Sequence, residues 1–356
     1  MIHLKEIDNH IFHLLDYLES IQNEDGGFDR KRIVSGFYKQ EDWHHSHTNT
    51  HFDTAIPLIP LCFMNDSKSA KIVQNGINKI KKRNLDNFLW SWADSKPVPY
   101  CTDDTSFCSY VLEKNGFEID NKNFLNEFID ENQHYLFFIL PQKKSKNIRL
   151  LTYIKLVLQR KKILNSINFL DDQMVESDHE FSSTCINLLY LNRMESNIKV
   201  WEKIKMQFSS GNLDHTYYID IYHSFYHYAR LFYYGNHKDL LPETDRLDQY
   251  INQLYAGLGE ISNSPRHILF ANSLLFLGVC LESHSGLINK CMEMLTELDY
   301  KNHMVYYSSH NIRPLRSNEK KPFVYFGSSA INCSLYIEFL NIYRKRNFGL
   351  YYGNNS

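Results

Sequence analysis

Two neighbouring carboxyls offer the most chemistry in this chain. In VPYCTDDTSFCSYVL, residues 98–112, Asp103 and Asp104 stand directly ahead of an apolar helical run and behind a Pro and an aromatic. Such a pair has two uses. Either carboxylate can cap a helix by accepting its exposed backbone N–H groups. Buried side by side, the two resist ionising together, so one keeps its proton and can act as a general acid near neutral pH. A second cluster, EDWHHSHTNTHFD at 41–53, holds four His. His47 and His51 are four apart and share a helical face, and with Asp53 they form a candidate three-ligand zinc set. The same letters also suit a polar loop, and neither a metal nor another cofactor is assigned. No P-loop and no glycine-rich dinucleotide fingerprint is present.

These side chains need a scaffold, and helical periodicity dominates the 356 residues. Residues 3–22 put Leu4, Ile7, Ile11, Leu14, Leu15 and Leu18 on one stripe, and 67–84 begins at Ser and ends basic, as a helix dipole favours. The helices are of two kinds. Amphipathic, charged segments fall at about 3–22, 67–84, 121–132, 196–208, 243–258 and 286–298. Segments apolar all round fall at 54–64, 105–115, 182–192, 217–234, 267–281 and 328–343. A helix apolar all round must be buried on every side. Strict alternation of six such helices with six half-exposed ones predicts two concentric rings, an all-α (α/α)6 barrel, in one domain spanning 1–356. Residues 133–180, with the amphipathic NIRLLTYIKLVLQRKK, fit the alternation least and read as an insertion. Strand signals are scarce.

In such a barrel all inner helices point the same way, so their N-termini meet at one mouth. The residues expected there are His51 and Asp53, Asp103 and Asp104, Asp178 with His179 and Glu180, Asp214 and His215, Arg266 and His267, and Tyr325 to Ser329. Each is an ordinary cap taken alone. Together they ring a shared mouth with ionisable groups.

Bulk composition narrows the rest. Hydrophobic residues make up 43%, enough for a large core, and the formal charge of −2 argues against nucleic acid or a polyanion as partner. Seven scattered Cys without a CxxC suit reduced thiols. No signal core opens the chain, and no apolar run approaches the roughly 20 residues a span requires. A soluble, cytoplasmic protein is expected. Basic runs at 79–84 and 160–162 read as solvated faces, with room for diphosphate or peripheral membrane contact. Aromatics reach 14%, with 24 Tyr and 23 Phe. They suit either a large core or a pocket whose π faces stabilise a cation.

Several motifs together resemble the terpenoid cyclase and protein prenyltransferase superfamily. YLESIQNEDGGF (17–28) looks like its QW-type repeat, with Gln22, Asp25, Gly26, Gly27 and Phe28 matching and Phe standing where Trp is commoner. HFDTAIPLIPL and CTDDTSFCSYVLEKNGF resemble its inner-helix starts, and PFVYFGSSAINCSLYIEFL (322–340) its closing helix pair. The resemblance implies the same (α/α)6 fold. It also implies class II chemistry, in which the middle Asp of Asp-x-Asp-Asp protonates an alkene or epoxide. Asp103 falls on that acid and Asp104 on its neighbour, with His51 or Asp53 as tuning groups. Cys101 replaces the motif's first Asp. The family's class II sites usually lie between two barrels, whereas one barrel would use its own centre. DDQMVE (171–176) fits the magnesium motif of class I terpene synthases, without its Asn-Ser-Glu partner.

The expected activity is therefore terpene-cyclase-like, on a hydrophobic isoprenoid or polyene. Its wall candidates are Trp92, Tyr100, His179, Tyr218, Tyr222, Tyr307 and Tyr325. Two alternatives stay open: a glycan hydrolase or lyase with paired carboxylates at inner-helix ends, and a non-catalytic binding or partner subunit.

Overall fold

In a computed structural model of the chain, the described residues are 3–34, 44–46, 50–82, 88–91, 100–136, 138–139, 150–151, 153–158, 181–211, 213, 221–235, 237, 239, 244–258, 265–278, 285–302, 304–308 and 324–350. Twelve α-helices alternate along them, beside a further helical stretch at 150–151 and 153–158: α1 (Leu4–Ile21), α2 (His51–Leu61), α3 (Ser67–Lys81), α4 (Thr102–Lys114), α5 (Lys122–Leu125), α6 (Phe181–Leu191), α7 (Ile198–Ser210), α8 (Ile221–Gly235), α9 (Thr244–Gly257), α10 (Pro265–Leu277), α11 (Ser285–Thr296) and α12 (Ser329–Phe348). The even-numbered helices form the inner ring. Each packs on the next, α2 on α4, then α6, α8, α10 and α12, and α12 closes the ring against α2. Every residue of α2 and of α6 is buried, as an inner helix requires. The odd-numbered helices lie outside. On α1 the buried stripe is Ile7, Ile11, Leu14, Leu15 and Leu18, with Leu4 only half-buried. The architecture is the all-α barrel that the alternation predicts.

Local chemistry sets the helix ends. Asp66, one residue before the predicted Ser, caps α3 by accepting from the N–H groups of Lys68 and Ser69 at 3.0 and 2.9 Å. Lys79 and Lys81 complete its basic last turn. The predicted outer helix at 121–132 is cut to the single turn of α5. After it, the Asp130 carboxylate accepts from the His134 N–H at 2.8 Å and folds the chain into a turn instead.

That turn exposes a repeat in the structure. The Asp130 N–H donates to the His134 carbonyl at 2.8 Å, as the Asn23 N–H does to Gly27 at 2.9 Å. The aromatic that follows donates its backbone N–H to a Thr hydroxyl on the next inner helix: Phe28 to Thr54 at 3.4 Å, and Tyr135 to Thr184 at 3.3 Å. Trp90 does the same to Thr105 at 3.1 Å. Each Thr is the fourth residue of its helix. The residues just before them, Asp53, Asp104 and Ser183, therefore occupy equivalent places on adjacent inner helices.

The QW-like segment is a clamp between outer helices. Gln22 donates from Nε2 to the Gly26 carbonyl at 2.9 Å and to the Ile72 carbonyl of α3 at 3.0 Å. Asp25 pairs with Lys79 of α3 at 2.7 Å, and Phe28 is fully buried. Gly26 has φ of +89°, and a Cβ there would lie 1.9 Å from the Asn75 carbonyl oxygen. Gly26→Ala should therefore cost about 2–3 kcal/mol, from left-handed strain plus a backbone clash. A urea melt with a midpoint like wild type would contradict this.

A small antiparallel sheet was not expected from the sequence. Its order is β2-β1-β6-β5, with β1 at Arg30–Val34, β2 at His44–Ser46, β5 at Met304–Ser308 and β6 at Val324–Ser328. β1 pairs with β6 in the register Lys31↔Gly327 to Val34↔Val324, joining the two ends of the chain. β6 runs straight into the start of α12, so the sheet sits at the mouth where the inner helices begin. A second pair, β3 (Tyr100–Cys101) and β4 (Phe138–Ile139), leads directly into α4. Most of residues 133–180, read from the sequence as an insertion, lies outside the described residues.

Candidate active site

The carboxyls of α4 do little capping. The N-cap residue is Cys101, which makes no side-chain cap bond. Asp103 Oδ1 accepts from the N–H of its own neighbour, Asp104, at 2.8 Å. Asp104 is 1% exposed, and its Oδ1 meets no hydrogen-bond partner among the described residues. On α2, by contrast, Thr50 is a conventional cap, accepting from the Asp53 N–H at 3.1 Å. Its hydroxyl also makes a very short bond to Asp53 Oδ2.

Three inner helices bring their starts together here. Asp103 Oδ2 lies 3.5 Å from the Ser183 hydroxyl of α6. Asp53 of α2 is close enough to act electrostatically on Asp104. Arg30, from β1, reaches within 3.9 Å of Asp53 Oδ2, and both are buried. Burial, then the charge of Asp103, then that of Asp53 hold the Asp104 carboxyl well above the usual carboxylate range. A hydrogen bond with Cys101 pulls the other way. Cys101 thus stabilises the ionised form. Cys101→Ala should move the alkaline limb of any activity that needs protonated Asp104 to higher pH. A pH–rate profile reads this directly, and a shift to lower pH would contradict it.

One turn below the carboxyls the barrel is aromatic. Phe107 is three and four residues beyond Asp104 and Asp103, so it continues the same helical face. Its ring lies 5.8 Å from that of Phe52 on α2 and 6.2 Å from that of His227 on α8. α8 is not a ring neighbour of α4, so the last contact crosses the barrel interior. Burial, with Arg230 and His223 nearby, keeps His227 neutral by lowering its pKa well below the usual imidazole range. Deeper still, Arg230 of α8 pairs with Glu338 of α12 at 3.1 Å, both fully buried. The Tyr234 hydroxyl donates to Glu338 at 2.9 Å, and Tyr226 makes a short bond to it. These helices are also not neighbours, so the ion pair spans the barrel at its far end.

Not every expected residue joins this group. His51 is buried at the start of α2, and His267 at the start of α10. Tyr100 is half-buried in β3. Tyr222 faces outward, not toward the barrel axis. Its hydroxyl donates to the Leu254 carbonyl of α9 at 2.9 Å, and it lines a cavity of about 630 Å3 between α7, α8 and α9, with Phe208, Arg246 and Tyr250. Tyr307 and Tyr325 fall in β5 and β6, where Tyr325 pairs with Ser308 and Tyr307 with Phe326. Trp92, His179, Tyr218 and His47 lie outside the described residues, as do 171–176, 178–180 and 214–215. Sequence reading missed Arg30, Thr50, Ser183, Phe52 and Phe107. The Thr ahead of HFDT was a readable cap signal, whereas nothing local marks Arg30. Among the described residues, the donor set that could hold a metal ion is Cys101 with Asp103 and Asp104, whose ligand atoms lie within 4.8 Å of one another.

No protein-family model matches the chain, and no curated protein matches it. Solved structures do. A protein from Actinoplanes superposes with a TM-score of 0.66 at 9% identity, covering 94% of this chain and 99% of that one. The type II terpene cyclase MstE from Scytonema, as an apo variant, gives 0.64 at 10% identity over 97% and 99%. A second MstE variant, in complex with its substrate geranylgeranyl dihydroxybenzoate, gives 0.59 at 10% identity over 96% and 99%. At such identities the likeness shows the fold alone: this chain has the all-α barrel fold of a type II terpene cyclase.

Proposed function

We propose that the protein is a type II terpene-cyclase-like enzyme that protonates a hydrophobic isoprenoid. The observation that carries this reading is the Asp104 carboxyl: buried, raised in pKa beside Asp103 and Asp53, and set one turn above an aromatic interior. Asp103 and Asp104 act as one acid holding one proton between them. The proton passes to the terminal alkene carbon. The alkene π pair forms the new C–H bond and leaves a tertiary cation. The next alkene attacks that cation and closes a ring, and loss of a proton from a neighbouring carbon ends the cascade. Phe52 and Phe107 face the cation with their π quadrupoles, and neutral His227 adds no opposing charge. Asp53, held by Arg30, supplies a further carboxylate from the equivalent place on α2, in a site whose Cys101 stands where the family motif has its first Asp. The neighbour's substrate, an isoprenyl chain on a dihydroxybenzoate, belongs to the class this interior would accept.

The test is to incubate the purified protein with geranylgeranyl dihydroxybenzoate, and with linear isoprenoids such as squalene and geranylgeranyl diphosphate. Cyclisation of this kind gives a product of unchanged mass and altered chromatographic retention. Released diphosphate, or no product from any of these, would count against the reading.

A further inference from the structure

We propose that the helix at residues 150–158 docks the protein onto an anionic lipid bilayer. Residues 150–151 and 153–158 are helical. Five of their side chains are apolar and solvent-facing: Leu150 is 54% exposed, Leu151 67%, Ile154 44%, Val157 38% and Leu158 55%. At 100° per residue these five share an arc of about 120°. Leu156 points the other way and is fully buried, and Tyr153, at one border of the arc, packs on the core. Lys155, exposed, borders the apolar arc. The helix is therefore anchored by one face and leaves a wide apolar face in water. Single exposed apolar side chains are ordinary, whereas a contiguous stripe of this kind marks a contact surface.

Charge selects the partner. Residues 141–162 contain Lys143, Lys144, Lys146, Arg149, Lys155, Arg160, Lys161 and Lys162 and no Asp or Glu. Eight positive charges thus sit in 22 residues of a chain whose formal net charge is −2. A second copy would bring the same stretch of eight uncompensated charges with it and be repelled. A bilayer with anionic lipids offers an apolar interior for the leucines and a negative surface for the lysines and arginines. No helix among the described residues is long and apolar enough to cross a membrane, so the contact lies in the interface. In the chain this helix follows β4, whose partner strand β3 runs into the start of α4. If the cyclase reading holds, docking would hold the enzyme at the bilayer where a water-insoluble substrate resides; the docking itself does not depend on that reading.

Sedimentation of the full-length protein with vesicles tests it without any turnover. Binding should be strong to phosphatidylcholine vesicles containing phosphatidylglycerol, roughly tenfold weaker or more to phosphatidylcholine alone, and reduced by high salt. The double variant Leu151→Glu with Leu158→Glu should bind the anionic vesicles at least about tenfold more weakly. Its circular dichroism and melting temperature should match wild type, because both side chains face solvent. Absence of vesicle binding by wild type, or equal binding by the variant, overturns the proposal. So does a wild-type dimer in light scattering that the double variant converts to monomer, since the occupant would then be a second copy.

Discussion

Asp104→Asn is expected to lower turnover roughly 10³-fold or more while leaving the protein folded and, above neutral pH, at least as stable as wild type. The two effects share one cause. Burial and the charges of Asp103 and Asp53 raise the folded-state pKa of Asp104 above that of the unfolded chain. The folded protein therefore holds a proton that the unfolded chain releases at about pH 4. That contribution to stability is fully present below the unfolded pKa and is lost as pH rises through the folded pKa. An Asn has no such proton to lose, so the variant gains relative to wild type as pH increases. Urea unfolding at pH 5 and pH 8 measures this, and product analysis measures turnover. Asp103→Asn should lose turnover to a similar degree, since members of a coupled pair fail together. Wild-type turnover by either variant would falsify the assignment of the acid to this pair.

The largest expected loss of stability is elsewhere. Glu338→Ala should cost about 3–5 kcal/mol. The substitution leaves the Arg230 guanidinium buried without its 3.1 Å counter-ion and removes the acceptor of the Tyr226 and Tyr234 hydroxyls. Desolvation by burial and the Glu338 charge already hold Tyr234 neutral, with its pKa well above the usual phenol range, so toward this carboxylate it acts as the donor. The paired replacement of Arg230 and Glu338 by Met should be less damaging than Glu338→Ala, because no uncompensated charge stays behind. Chemical denaturation of the three proteins decides the point. A loss below about 1 kcal/mol for Glu338→Ala would mean that this ion pair does not brace the far end of the barrel.

Much of the ring was legible because inner and outer helices differ in composition along the chain. The α1 stripe, the all-buried α2 and α6, and the Asp-Thr starts of α2 and α4 each report their environment locally. Non-local pairing was not legible. β1 and β6 come from opposite ends of the chain, and RKRIV carries no alternation that announces a strand. Arg30 reaches Asp53 only because of that sheet. The adjacent carboxyls could be read as cap or acid from sequence. It took the fold to show Cys101 at the cap, an Asp104 oxygen meeting no partner among the described residues, and Asp53 in the equivalent place next door. Tyr222 misled because an aromatic on an inner helix can turn outward to bond an outer-helix carbonyl. The residue type alone does not show the direction.

The central claim is that this carboxyl pair delivers a solvent-derived proton to carbon. The measurement closest to it is turnover in D2O followed by mass spectrometry of the product. The account predicts one carbon-bound deuterium per product molecule, with no product from Asp104→Asn. A product formed in D2O without that deuterium would contradict it.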